Sequence, residues 1–287
     1  MFTRFEGFAP ALITPFRPNG SVDIPVFRRL CQRQLSAGAA ALVVLGTTGE
    51  PASLSAQERE ALITACVQES NGRVPVIVGT GSNDTQTACR HAREAAILGA
   101  DAQLCVTPYY NKTTQEGLIA HFTAVADAAP LPLIAYNVPG RTGVNLLPQT
   151  MAALAAHPRI VGVKEAAGDA AQLCELARVL PETVALYAGN YDLSFLTLSL
   201  GGAGTISVYA NAFPERIHAL HTAFFAGDVK NARTAQLDML PLIRALFEKP
   251  SPIPIKALMA RMGLCENVLR LPLVAAPEAS MEAFAAR

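Results

Sequence analysis

Short apolar runs alternate along this chain with longer stretches in which apolar residues recur every three or four positions. Eight short runs fall at residues 8–13, 41–45, 74–78, 102–106, 131–136, 160–164, 184–188 and 205–208. Their length and β-branched content predict buried strands. Amphipathic stretches over residues 23–37, 55–69, 84–98, 114–128 and 170–180 lie between them and predict helices. Several open on a capping residue, such as Ser55, Asp84 and Thr114. Eight strand-helix units within about 210 residues predict an α/β chain folded as a (β/α)8 TIM barrel. A doubly wound open sheet is the alternative, but no G-x-G-x-x-G opens a helix after an early strand. Past residue 212 the pattern becomes helical only, over residues 214–226, 229–247 and 253–262, punctuated by Pro250, Pro252 and Pro254. The expected layout is a catalytic barrel over residues 1–212 and a C-terminal helical appendage over 213–287 packed on it.

Composition narrows the setting. The 287 residues are 51% apolar and 16% charged, with no net charge, which suits a globular chain with a large core. Balanced charge gives no reason to expect nucleic acid or an anionic membrane as partner. The amino terminus lacks an apolar run of the signal-peptide type, so a cytoplasmic location is expected. Residues 184–213 carry one charge, Asp192, and are long enough to span a bilayer, but glycines break them into strand, helix and strand. The six cysteines are scattered without metal or redox spacing, and the five histidines show no ligand pattern. No metal and no cofactor are implied. His218 and His221 lie three apart on a predicted helix and are expected in solvent.

One charge stands out inside an apolar run: Lys164, in Ile160-Val161-Gly162-Val163-Lys164-Glu165. A buried ammonium is costly and tends to shed its proton, and a neutral amine is a nucleophile for carbonyls. An ordinary lysine is neutral in only about one molecule in 2,500 at pH 7, so catalysis demands a depressed pKa or a local base. In a barrel, active sites form where strands end at their carboxyl termini. There the chain places Thr14, Gly46-Thr47-Thr48-Gly49-Glu50, Gly79-Thr80-Gly81-Ser82, Thr107-Pro108-Tyr109-Tyr110-Asn111 and Tyr136-Asn137. Tyr136 and Tyr110 are candidate proton relays with a threonine as bridge. The Gly46–Glu50 turn offers backbone N–H groups to a small carboxylate, and Arg141 offers a bidentate grip on a second. Together they describe a Schiff-base enzyme for a short 2-oxo acid. Each part also has a structural alternative: a rim lysine, a turn-shaping threonine pair, packing tyrosines, a surface arginine. Gly201-Gly202-Ala203-Gly204 reads as a tight turn before the eighth strand, and Glu165 is expected to face away from Lys164.

The motifs Gly46-Thr47-Thr48-Gly49-Glu50, Thr107-Pro108-Tyr109-Tyr110-Asn111-Lys112, Tyr136-Asn137-Val138-Pro139-Gly140-Arg141-Thr142-Gly143 and Val161-Gly162-Val163-Lys164-Glu165-Ala166, in this order, resemble the dihydrodipicolinate synthases. The likeness runs from Pro10 to Arg270-Leu271-Pro272. It implies a pyruvate-dependent class I aldolase that condenses pyruvate with aspartate semialdehyde, and a homotetramer built from tight dimers. Under it Lys164 forms the Schiff base and Tyr136 moves protons. Thr47 links Tyr136 to Tyr110, which reaches across the dimer. Thr48 and Ile206 hold pyruvate, and Arg141 receives the second carboxylate. Gly189-Asn190-Tyr191 and Tyr209 depart from the family's usual Gly-Asp-Asp and threonine. That keeps an aldolase or hydratase-aldolase of another 2-oxo acid as an alternative, with a non-catalytic 2-oxo acid sensor as the reading from another class. Lysine-inhibited members bind lysine at the dimer interface; here Ala56, Arg59 and Thr87 replace histidines and a glutamate and Pro51 a serine, while Asn83 and Tyr109 match. Weak or absent lysine feedback is expected.

Overall fold

A computed structural model describes residues 4–285. The apolar runs become eight parallel strands: β1 (Gly7–Pro10), β2 (Leu42–Val44), β3 (Val76–Gly79), β4 (Ala102–Val106), β5 (Leu133–Asn137), β6 (Ile160–Glu165), β7 (Ala185–Ala188) and β8 (Gly204–Ser207). They pair in the order β1-β8-β7-β6-β5-β4-β3-β2. The bridge between Ala11 and Val43, with Leu12 N–H donating to the Val43 carbonyl at 2.9 Å, brings the two ends together. The sheet therefore closes as a (β/α)8 barrel, and the open doubly wound alternative is excluded.

Strand ends shift by a residue or two from the sequence expectation, for identifiable reasons. Pro75 and Pro132 lack an N–H, so β3 and β5 begin just after them, while their carbonyls accept from Leu42 and Gln103 at 2.9 Å. Between strands run α1 (Ile24–Ser36), α2 (Ala56–Ser70), α3 (Thr85–Ile97), α4 (Gln115–Ala128), the short α5 (Pro139–Thr142), α6 (Pro148–Leu154), α7 (Ala170–Val179) and α8 (Ser194–Ser199). Side chains of Asp23, Ser55, Asp84, Thr114 and Asp169 cap five of them. Ser55 and Glu58 form a full capping box, which fixes where α2 leaves the loop after β2.

Two buried layers result. The barrel interior packs Ala9, Val43, Ile77, Leu104, Ile134, Tyr136, Tyr187 and Ile206, while the larger outer layer lies between strands and helices. The α9 helix (Pro214–Phe225) packs on β1 through His218 against Phe8, with ring centroids 5.9 Å apart, and α10 (Val229–Phe247) and α11 (Ile253–Arg261) follow. His221 corrects the sequence reading: it is buried, not solvated. Its imidazole joins the Thr205 hydroxyl (3.1 Å) and the Ile217 carbonyl (2.8 Å), and burial pulls its pKa down to about 4. The helix face on which it lies turns inward onto β8. Residues 184–213 form strand, helix and strand as read, and no helix among the described residues is long and apolar enough to cross a membrane.

Candidate active site

The site begins with strand register. Tyr136 on β5 lies directly beside Lys164 on β6, so both side chains leave the sheet on the same face. The Lys164 ammonium position is 4.1 Å from the centroid of the Tyr136 ring. Both residues are buried, at 6% and 7% exposure. Burial, assisted by the positive charge of Arg141, pulls the Lys164 pKa down from 10.5 to about 7. At that value roughly half of the amine is neutral at pH 7, about a thousandfold more than for an ordinary lysine. Among the described residues Lys164 forms no ion pair. The adjacent Glu165 faces the other way, as expected. Its carboxylate accepts from Asn137 Nδ2 at 3.0 Å, from Ala167 N–H at 2.6 Å and from Gln172 Nε2 at 3.1 Å.

Tyr136 is tuned by burial and by two neighbours of opposite effect. Burial raises its phenol pKa, while the Arg141 charge and a hydrogen bond with the Thr47 hydroxyl oppose the rise. Thr47 and Thr48 open the 3-10 turn Thr47–Gly49 that follows β2, and Thr48 is buried. Thr14 reaches over from the loop after β1, its hydroxyl donating to the Gly49 carbonyl at 2.7 Å. Ile206 lines the barrel interior in the same apolar cluster as Tyr136. A cavity of about 430 Å³ is lined by Thr47, Tyr136, Val138, Arg141 and Ser251 among others, and Lys164 lies behind its Tyr136 wall. Arg141 is exposed at its rim and donates to the Ser251 carbonyl at 3.3 Å.

The structure thus brings Lys164, Tyr136, Thr47 and Arg141 together, while Thr48 and Ile206 are buried close by without lining the cavity. Tyr110 stands apart: it is 90% exposed and holds a left-handed backbone, φ 70°. The departures at Tyr191 and Tyr209 turn out to be buried packing residues. Tyr191 stacks on Phe247 of α10 (centroids 5.2 Å), and Tyr209 packs against Phe213 (5.9 Å); neither lines the cavity. Arg59, on α2, is buried along the same cavity and donates to the Gly79 carbonyl at 3.4 Å.

Two features were not foreseen. Gly189, after β7, makes room for Lys164: a Cβ there would stand 2.7 Å from Ala166 Cβ, 2.8 Å from the Glu165 carbonyl oxygen and 3.1 Å from Lys164 Cε. The run Gly189-Asn190-Tyr191 was visible in the sequence as a departure, but not as a packing requirement. Left-handed backbone at non-glycine residues is also concentrated here: Leu45 (φ 58°) and Glu50 (φ 54°) flank the Thr47–Gly49 turn, besides Tyr110. Such strain gathers at functional sites, and nothing in residue type announces it.

A closed parallel barrel with a near-neutral lysine at its strand ends, a phenol beside it and an arginine at the rim defines a lyase of the class I, Schiff-base type. The chain belongs to the dihydrodipicolinate synthetase family, which it matches over residues 4–287. The 4-hydroxy-tetrahydrodipicolinate synthase of Alkaliphilus oremlandii is 48% identical over 94% of this chain and 92% of that protein. Among solved structures, the dihydrodipicolinate synthase of Thermotoga maritima superposes with a TM-score of 0.94 at 42% identity, covering 97% of this chain and 95% of that one. The dihydrodipicolinate synthase of Acinetobacter baumannii in complex with pyruvate gives a TM-score of 0.94 at 40% identity, over 97% and 96%.

Proposed function

We propose that this chain condenses pyruvate with L-aspartate 4-semialdehyde to 4-hydroxy-tetrahydrodipicolinate, the first committed step towards diaminopimelate and lysine. The observation that carries the reading is the Lys164 amine, held near pKa 7 against Tyr136 in the neighbouring strand. The neutral amine attacks the ketone carbon of pyruvate. Tyr136, relayed through Thr47, passes a proton to the departing hydroxyl, and water leaves to give the iminium. Loss of a methyl proton produces the enamine, whose carbon attacks the aldehyde carbon of the second substrate. The amine of that substrate then adds to the iminium carbon and displaces Lys164, closing the ring. Thr48 and the Ile206 backbone are assigned to the pyruvate carboxylate, and Arg141 to the carboxylate of the semialdehyde.

The packing of Tyr191 on Phe247 and of Tyr209 on Phe213 supports the synthase over an aldolase of a bulkier keto acid, because neither tyrosine lines the cavity. Tyr110, exposed and held in a strained backbone, is assigned to the site of a second copy. We accordingly propose tight dimers that pair into a tetramer, working in the cytoplasm. The test is pyruvate turnover with aspartate semialdehyde against a panel of keto-sugar acids. Activity with the semialdehyde is expected, and activity confined to the keto-sugar acids would refute the synthase.

A further inference from the structure

A second lysine is buried even more deeply than the nucleophile, and it has a different setting. Lys256, on α11 of the helical tail, is fully buried, and its ammonium forms an ion pair with Glu50, itself only 6% exposed. The ammonium also donates to the Val268 carbonyl at 2.9 Å. The second Glu50 oxygen accepts from the Arg270 backbone N–H at 3.2 Å. The Phe16 ring meets both cations, its centroid 4.1 Å from Lys256 Nζ and 4.5 Å from the Arg270 guanidinium carbon. Arg270 is anchored in turn by Glu58 (2.8 Å), by the Ser53 carbonyl (2.8 Å) and by the Gly20 carbonyl (2.7 Å).

What these contacts grip is the catalytic turn. Glu50 is the left-handed residue that ends the Thr47–Gly49 turn and starts the next one, Pro51–Ser53. Its N–H donates to the Thr47 carbonyl at 3.2 Å, and its own carbonyl accepts from Ser53 N–H and Ser53 Oγ, each at 3.0 Å. Fixing the carboxylate of a residue in this sparsely populated conformation fixes the turn before it. A buried ion pair is weak evidence for stability, since apolar residues of similar volume pack as well. Its place at the end of the Thr47–Gly49 turn is better explained by geometry than by folding energy.

We propose that Lys256 and Glu50 are a positioning pair, through which the helical tail sets the Thr47–Thr48 turn against Tyr136 and Lys164. The inference rests on the Schiff-base reading of Lys164. The tail thereby contributes to the chemistry without touching the substrate. It also holds Arg141 through the Ser251 carbonyl, so both sides of the cavity mouth lean on the same segment.

The test uses the full chain with Lys256→Met, Glu50→Gln and the two combined, and Arg261→Ala as a control that removes the exposed tail pair with Glu282. Three quantities are read: thermal midpoint, the pyruvate concentration giving half-maximal borohydride trapping, and kcat for condensation. Each single variant is expected to raise half-saturating pyruvate at least tenfold and to lower kcat about 100-fold, as for misplaced catalytic groups. The combined variant leaves no stray charge. It is expected to regain most of the thermal midpoint while keeping the kinetic defect, and the control should match wild type. Recovery of kinetics together with stability in the combined variant would overturn the proposal, as would wild-type kinetics in folded single variants. Should a single variant fail to fold, the combined variant carries the same comparison. Absence of trapping in the wild type would instead bring down the Schiff-base reading itself.

Discussion

Replacing Lys164 by methionine should remove the proposed nucleophile and, at neutral and acidic pH, make the protein more stable. The folded chain holds this amine at a pKa of about 7 against an ordinary 10.5, because burial strips the cation of water. Moving a pKa that far corresponds to about 5 kcal/mol. The folded value is lowered, so the sign follows from proton counts. Below pH 7 both the folded and the unfolded chain carry the proton, and the whole cost falls on the native state. Between pH 7 and 10.5 the unfolded chain binds a proton that the native state does not, so wild-type stability rises with pH. Above 10.5 the contribution vanishes. Methionine has similar length and does not titrate, so the packing difference is common to all pH values. The advantage of Lys164→Met over wild type should therefore be about 4 kcal/mol larger at pH 6 than at pH 10. Urea unfolding of both proteins at the two pH values, extrapolated linearly, measures it. A difference between the proteins that does not change with pH would refute the claim that Lys164 is buried at a desolvation cost.

Tyr136→Phe should lower kcat by about 10²- to 10⁴-fold, the usual worth of a positioned acid or base, in steady-state assays of a folded protein with the cavity intact. Arg141→Ala should raise KM for aspartate semialdehyde at least tenfold. Because the Arg141 charge lowers the Lys164 pKa, the variant should also move the acid limb of the pyruvate-trapping profile to higher pH; an unmoved limb would contradict the electrostatic role. Gly189→Ala should cost both activity and about 1–3 kcal/mol of stability, because its Cβ meets Ala166, the Glu165 carbonyl and Lys164; wild-type trapping kinetics would show that Lys164 does not need that space. Calorimetric titration with lysine should show no tight binding, since Arg59 adds a cation beside the cavity and Thr87 supplies no carboxylate.

The barrel was legible because each strand is a short apolar run set off by capped helices, and those signals are local. Lys164 and Tyr136 were legible for the same reason: each ends an apolar run, and adjacent strands of a barrel place such ends side by side. His221 was misread because its helix presents that face to β8, where the Thr205 hydroxyl meets one ring nitrogen while the Ile217 carbonyl of its own helix meets the other; a polar residue paired inside the fold looks, in sequence, like one in solvent. The Lys256–Glu50 pair joins positions 206 residues apart, and no spacing rule connects them. Tyr191 was recognised as unusual, but its direction is set by Phe247 on α10. What the sequence hid was therefore mostly the contact between the tail and the barrel mouth.

Borohydride reduction with pyruvate, followed by peptide mass mapping, addresses the central claim most directly. A single reduced adduct on Lys164, with trapping that rises as pH passes through about 7, is the expected result. No adduct, or an adduct on another lysine while Lys164 stays unmodified, would contradict it.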